Sequence, residues 1–133
     1  MTFSPAAADT ILRHLRSVGA SPEDYDRIFT GDLGKTGSDI LLELCAREGV
    51  DISENHCDGG LMIFDRETQD VHSGGSGCGC SASVLCADIL PRLKGRELGR
   101  VLFVGTGALL SATSVQQGLS IPAIAHAVEL SAI

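Results

Sequence analysis

The chain has 133 residues, enough for one domain with a real core, and 44% hydrophobic content with a mean hydropathy of +0.20 argues against disorder. A formal net charge of −7, no tryptophan and 4% aromatic residues argue against broad contact with nucleic acid or an anionic membrane. No apolar run reaches the ~18–20 residues of a membrane span, Met1-Thr-Phe-Ser-Pro5 has no signal-peptide character, and without a secretory signal the five cysteines are expected as reduced thiols.

The first predicted element is a helix over 5–18. Ser4 is its expected N-cap, Pro5 sits in the first turn, and Ile11, Leu12, Leu15 and Val18 form the apolar stripe. Gly19 supplies the stop. A turn over 21–26 leads to a short strand, Arg27 to Thr30, broken by Gly31-Asp32-Leu33-Gly34. A second helix is expected over 37–47, with Ile40, Leu41, Leu44 and Cys45 inward and Gly49 at its end. Residues 50–57 read as a connecting loop, 60–64 as a buried strand and 65–71 as a polar excursion.

The run Ser73-Gly-Gly-Ser-Gly-Cys-Gly-Cys-Ser-Ala-Ser83 then reads as a tight loop opening into a helix over 80–94. Pro91 lies inside that helix and removes the hydrogen bond to the Ala87 carbonyl, so a kink or an early end is expected there. Residues 100–105 are the clearest buried strand, 107–118 a loop and 121–133 a final strand. Helix–strand alternation of this kind gives a parallel sheet with helices on its faces, the last strand returning antiparallel.

Two loops carry the candidate chemistry. Gly31-Asp32-Leu33-Gly34 follows a strand, where open α/β sheets place ligands. Asp32 serves there as a polar contact or general base, or as a turn aspartate that caps the next helix. The loop–helix junction at Ser76, Gly77, Cys78, Gly79, Cys80 and Ser81 offers backbone N–H groups and a helix dipole to an anion. A helix N-terminus also lowers a thiol pKa, but Gly, Cys, Ser and Ala are equally the small residues that close helix–sheet packing needs. Cys57, Cys78, Cys80 and Cys86 with His56, His72 or His126 lack the Cys-x₂₋₄-Cys spacing of a zinc site, so no metal is expected. Gly105-Thr-Gly-Ala-Leu-Leu-Ser111 lacks the third glycine of a dinucleotide fingerprint and reads as a pocket wall. His14 and His56 are expected in solvent, and His126 as a satisfied core or edge histidine.

Seven ordered blocks carry a family resemblance: Asp26-Arg-Ile-Phe-Thr-Gly-Asp-Leu-Gly34, Asp51-Ile-Ser-Glu-Asn55, Asp58-Gly-Gly-Leu-Met-Ile63, Gly74-Gly-Ser-Gly-Cys-Gly-Cys-Ser81, Thr106-Gly-Ala-Leu-Leu-Ser111, Val115-Gln-Gln117 and Ile121-Pro-Ala-Ile-Ala-His126. Together they resemble the C-terminal half of the stage V sporulation protein AD family, relatives of thiolases and of type III ketoacyl-carrier-protein synthases. The resemblance implies a single thiolase-like C-terminal α/β/α domain over 1–133 with a mixed sheet, its last strand antiparallel. It also implies that the N-terminal half and the first edge strand lie outside this chain, which leaves the last strand with an open edge.

In the related synthases a catalytic histidine falls on Asp32 and a catalytic asparagine near Cys78, while the nucleophilic cysteine lies in the other half. The resemblance therefore implies a domain without catalysis and without a cofactor. What it implies instead is binding of dipicolinic acid or its calcium complex by Gly31, Asp32, Ser76, Gly77, Cys78, Gly79, Cys80 and Ser81, during movement into and out of the spore. A dianion beside Asp32 needs that carboxyl protonated or bridged by calcium or water. Implied partners are the membrane proteins of the same operon, which would hold the domain at the forespore inner membrane, and the missing half or a second copy. The rival implication is an acyl-CoA or acyl-carrier enzyme of thiolase type.

Overall fold

The structure, a computed structural model, describes residues 3–65, 67–72, 79–108 and 111–133. Helix α1, Ser4–Val18, buries Ala7, Ala8, Ile11, Leu12 and Leu15 and ends where Gly19 turns left-handed at φ 65°. Ser4 is the first helical residue rather than the cap. It is fully buried, and its hydroxyl donates to the Gly37 carbonyl at 2.7 Å, tying α1 to the next helix. A 3₁₀ turn, Pro22–Asp24, leads into β1, Arg27–Thr30.

Helix α2, Gly34–Arg47, begins one turn earlier than its apolar spacing predicts. Gly34 holds φ 71°, a conformation open to glycine, and this lets the chain turn straight from β1 into the helix. Leu41 and Cys45 are fully buried, whereas Ile40 and Leu44 are half-buried.

Two corrections follow. The loop expected over 50–57 contains a strand, β2, His56–Asp58. The strand expected over 60–64 is a helix, α3, Gly59–Ile63. A short apolar run does not distinguish the two on its own. Asp58 decides it by accepting a hydrogen bond from the Gly60 N–H, which starts a helical turn.

Helix α4 is continuous through Cys80–Val84, a π-helical segment Leu85–Ile89 and Leu90–Lys94. The π turn is the answer to Pro91. The Leu90 N–H reaches back to the Leu85 carbonyl, and the wider turn carries the helix past a residue that cannot donate to Ala87. Strand β3, Arg100–Ala108, is followed by a short helix α5, Ala112–Gln116, inside the expected loop, and by β4, Ala123–Ser131.

The described strands form one mixed sheet in the order β2-β1-β3-β4. β1 runs parallel to both β2 and β3, and β4 pairs antiparallel with β3 from Arg100↔Ser131 to Ala108↔Ala123. One face packs Ile28, Leu102 and Val104 on α1 and α2. The other packs Phe29 and Val101 on Val84, Ile89 and Leu93 of α4. The result is an α/β/α sandwich consistent with a thiolase-like fold, with β4 at an edge of the sheet as expected.

Candidate functional site

The parallel strands bring their carboxyl ends to one place. Gly31 directly follows β1, Gly59 follows β2, and Thr106 lies near the end of β3. The start of α4 closes over them. A Cβ on Gly31 would lie 2.2 Å from Ser81 Oγ and 3.0 Å from both the nitrogen and Oγ1 of Thr106. A Cβ on Gly59 would lie 2.3 Å from the Gly31 carbonyl oxygen. Gly59 needs glycine because backbone meets backbone there, whereas at Gly31 a side chain would strike the Ser81 hydroxyl and crowd Thr106. The Cys80 thiol, 2% exposed, donates to the Gly31 carbonyl at 3.6 Å. Gly31, Asp32, Gly79, Cys80 and Ser81 of the expected site thus converge. Ser76, Gly77 and Cys78 lie outside the described residues.

Asp58 organises this junction, and the sequence reading missed it. Its side chain is 2% exposed. Oδ1 accepts from Thr30 Oγ1 at 2.6 Å and from the Leu33 N–H at 2.9 Å. Oδ2 accepts from the Gly34 N–H at 2.9 Å and the Gly60 N–H at 3.1 Å. The carboxylate therefore sits at the amino terminus of α2, where a bound anion would otherwise go. The Gly31 N–H is spent on the Val104 carbonyl and the Asp32 N–H on Thr106 Oγ1. Residues 31–34 therefore have no backbone donor left for a ligand. Gly31 instead lets Ser81 and Thr106 approach closely. The signal available in the sequence was Asp58-Gly-Gly60, an aspartate before two glycines, which reads as a helix cap.

Behind Asp58 stands His56, which the structure takes out of solvent, contrary to expectation. Its Nε2 is 2.9 Å from Thr30 Oγ1. The single hydroxyl proton of Thr30 goes to the acceptor-only carboxylate, so Nε2 carries a hydrogen and donates. Burial pushes the His56 pKa down, opposed by the nearby Asp58 charge.

His14 is also engaged rather than solvated. It lies 2.9 Å from the Tyr25 hydroxyl, which donates to Glu129 Oε2 at 2.9 Å. Arg100 donates to Glu129 Oε1 at 2.7 Å and stacks 4.8 Å from the centre of the Tyr25 ring. Arg100 and Tyr25 together hold the Glu129 carboxyl down at about 2. This cluster fastens β4 to the amino end of the sheet. His126 on β4 is exposed. A cleft of about 420 Å³ lined by Pro22, Tyr25, Arg27, Asp51, Glu54 and Asn55 adjoins that same end, away from the glycine junction.

Burial pushes the Cys45 thiol up to about 11 and raises that of Cys57 as well. Cys45, Cys57 and Cys86 are free thiols. Among the described residues no group of three His, Cys, Asp or Glu side chains is placed to hold a metal, and no helix is long and apolar enough to cross a membrane.

The family model for stage V sporulation protein AD matches residues 1–131. The chain is 46% identical over 126 residues to the stage V sporulation protein AD of Bacillus subtilis (strain 168). That alignment covers 95% of this chain and 37% of the Bacillus protein, so the chain spans little more than a third of the length of its relative.

Proposed function

We propose that this chain, which belongs to the stage V sporulation protein AD family, is a non-catalytic ligand-binding and interaction domain that receives dipicolinate in its uptake and release during sporulation and germination. The observation that carries the reading is the junction of Gly31, Gly59, Cys80 and Ser81 at the carboxyl ends of the parallel strands, where open α/β sheets bind ligands. The chemistry suits binding better than acyl transfer. By the family resemblance, the synthases' histidine falls on Asp32 and their asparagine near Cys78, and neither a carboxylate nor a thiol replaces the neutral donors that stabilise a thioester oxyanion. With no helix among the described residues able to span a bilayer, attachment to the forespore membrane would come through partner proteins.

Calorimetric titration with dipicolinate, with and without calcium, tests the reading. Saturable heat is expected with this chain, or with a full-length protein of the family. Thioester turnover by either would overturn it in favour of a thiolase-type enzyme. Absence of heat with both would leave a structural module.

A further inference from the structure

We infer that a groove at the amino end of the sheet docks a basic, amphipathic segment of a partner protein, a role separate from the ligand junction at the carboxyl end. Two clefts open there side by side. The cleft of about 420 Å³ beside Tyr25 and Asn55 shares Pro22, Glu23 and Asp51 with a second cleft of about 410 Å³, so the two adjoin. The second lies between the ends of α1 and α2, where Leu12, Leu15, Ala20 and Val50 give it an apolar lining. Arg16 and Glu48, paired at 3.2 Å, stand at its rim.

Charge identifies the occupant. Glu23, Asp51 and Glu54 line the first cleft against one cation, Arg27. Among the described residues the carboxylates of Glu23 and Glu54 take part in no hydrogen bond or ion pair. Both α1 and α2 end beside the groove, so the negative ends of two helix dipoles add to the same field. Their last-turn arginines, Arg16 and Arg47, are already paired with Glu48 and Glu43. Among the described residues no three carboxylates are placed to hold one metal ion. The charge is thus spread along the groove and suits several cationic side chains better than a point cation. The apolar lining suits the stems of lysine or arginine and the leucine-sized side chains between them. A second copy of this chain would bring acid to acid, since its net charge is −7. The wall is also built in advance of docking. Asn55 Nδ2 donates to the carbonyls of Pro22 and Tyr25 at 2.8 and 3.2 Å, and the Asp24 carboxylate accepts from the Ser21 N–H at 2.9 Å. Little ordering entropy is then lost when a partner binds.

The test is an amide NMR titration of this chain with a short synthetic peptide of leucine and lysine, and with versions carrying glutamate for lysine or serine for leucine. The amides of Ala20, Glu23, Val50 and Glu54 are expected to move saturably with the leucine–lysine peptide alone. E23Q/E54Q should weaken that binding about fivefold or more, as expected for two lost charge contacts at a groove rim. Both side chains are exposed and hold no other part of the chain in place, so the double variant keeps its fold. E67Q/D70N removes the same charge from exposed positions outside the groove and should stay within about twofold of wild type. Unchanged binding by E23Q/E54Q, or equal weakening by E67Q/D70N, would overturn the groove as the docking site. Equal binding of the glutamate peptide would overturn the basic partner, and equal binding of the serine peptide would overturn the amphipathic one. No movement of these amides with the leucine–lysine peptide would overturn the proposal outright. Each of these results leaves the dipicolinate reading untouched, because that site lies at the opposite end of the sheet.

Discussion

Replacing Asp58 with alanine should be among the most damaging single changes available to this domain. The carboxylate is buried and accepts four hydrogen bonds, from the Thr30 hydroxyl and the N–H groups of Leu33, Gly34 and Gly60. Removing it strands three backbone donors and a hydroxyl. Each unsatisfied buried donor costs about 1–3 kcal/mol, reduced where water enters. The expected loss is about 3–5 kcal/mol, the scale seen when one partner of a buried charged pair is removed. In a domain of this size that lowers the melting temperature by roughly 10–20 °C. Urea denaturation followed by circular dichroism measures it. Formate should restore part of the loss selectively, because it returns a carboxylate to a cavity lined with donors, whereas chloride at equal ionic strength should not. Asp58→Asn should not escape the penalty, since its amide turns a donor toward two of the four donors. A loss below about 1 kcal/mol for D58A, or equal response to formate and chloride, would refute the claim that this carboxylate organises the junction.

Acid should release β4 in a defined window. The Glu129 carboxyl is held at about 2 against an ordinary 4.5, so its contribution is full above the ordinary value and fades as pH falls toward 2. Glu129→Gln should flatten the stability profile over that range, and an unchanged profile would remove Glu129 from the account. Thiol labelling under native conditions at pH 8 should reach exposed Cys86 well before Cys45, which is fully buried and pushed up to about 11. Equal rates would contradict the packing of Cys45 between α2 and the sheet. The open edge of β4 predicts self-association by strand pairing. The Gly31 N–H bonds Val104 on its β1 side, so Ala127, opposite Val104, turns its own N–H to the free edge. Ala127→Pro should therefore leave the β3–β4 ladder intact and abolish association in light scattering. A wild-type chain that stays monomeric at high concentration would count strongly against edge pairing.

Strongly periodic and strongly punctuated segments were legible in the sequence. Helix α1, strand β1, the body of α2 and strands β3 and β4 follow from apolar spacing and from Gly19 and Gly49 as stops. The residues alone marked two separate loops, and it was the family resemblance that implied Gly31 would meet Cys80 and Ser81. Short elements were not. Residues 59–63 form a helix rather than the strand expected over 60–64, because a short apolar run fits either geometry and a single cap from Asp58 tips the balance, and the polar triplet 56–58 gives no strand pattern although it pairs with β1. Pro91 was read correctly as an obstacle, but the remedy, a π turn one step upstream, is a property of the whole helix packed on the sheet.

By itself the sequence determined the class of fold, since helix–strand alternation depends on patterns local to a few residues, and it marked the loops of the candidate site. Only the tertiary structure decided which groups there are free to act. Asp58 fills one helix terminus, Thr106 engages Asp32 from 74 residues away, and His56 and Thr30 back the carboxylate from two strands. Hydrogen bonds between residues so distant in the chain leave no periodic trace. Yet burial makes each of them obligatory, and together they determine which donors remain for a ligand.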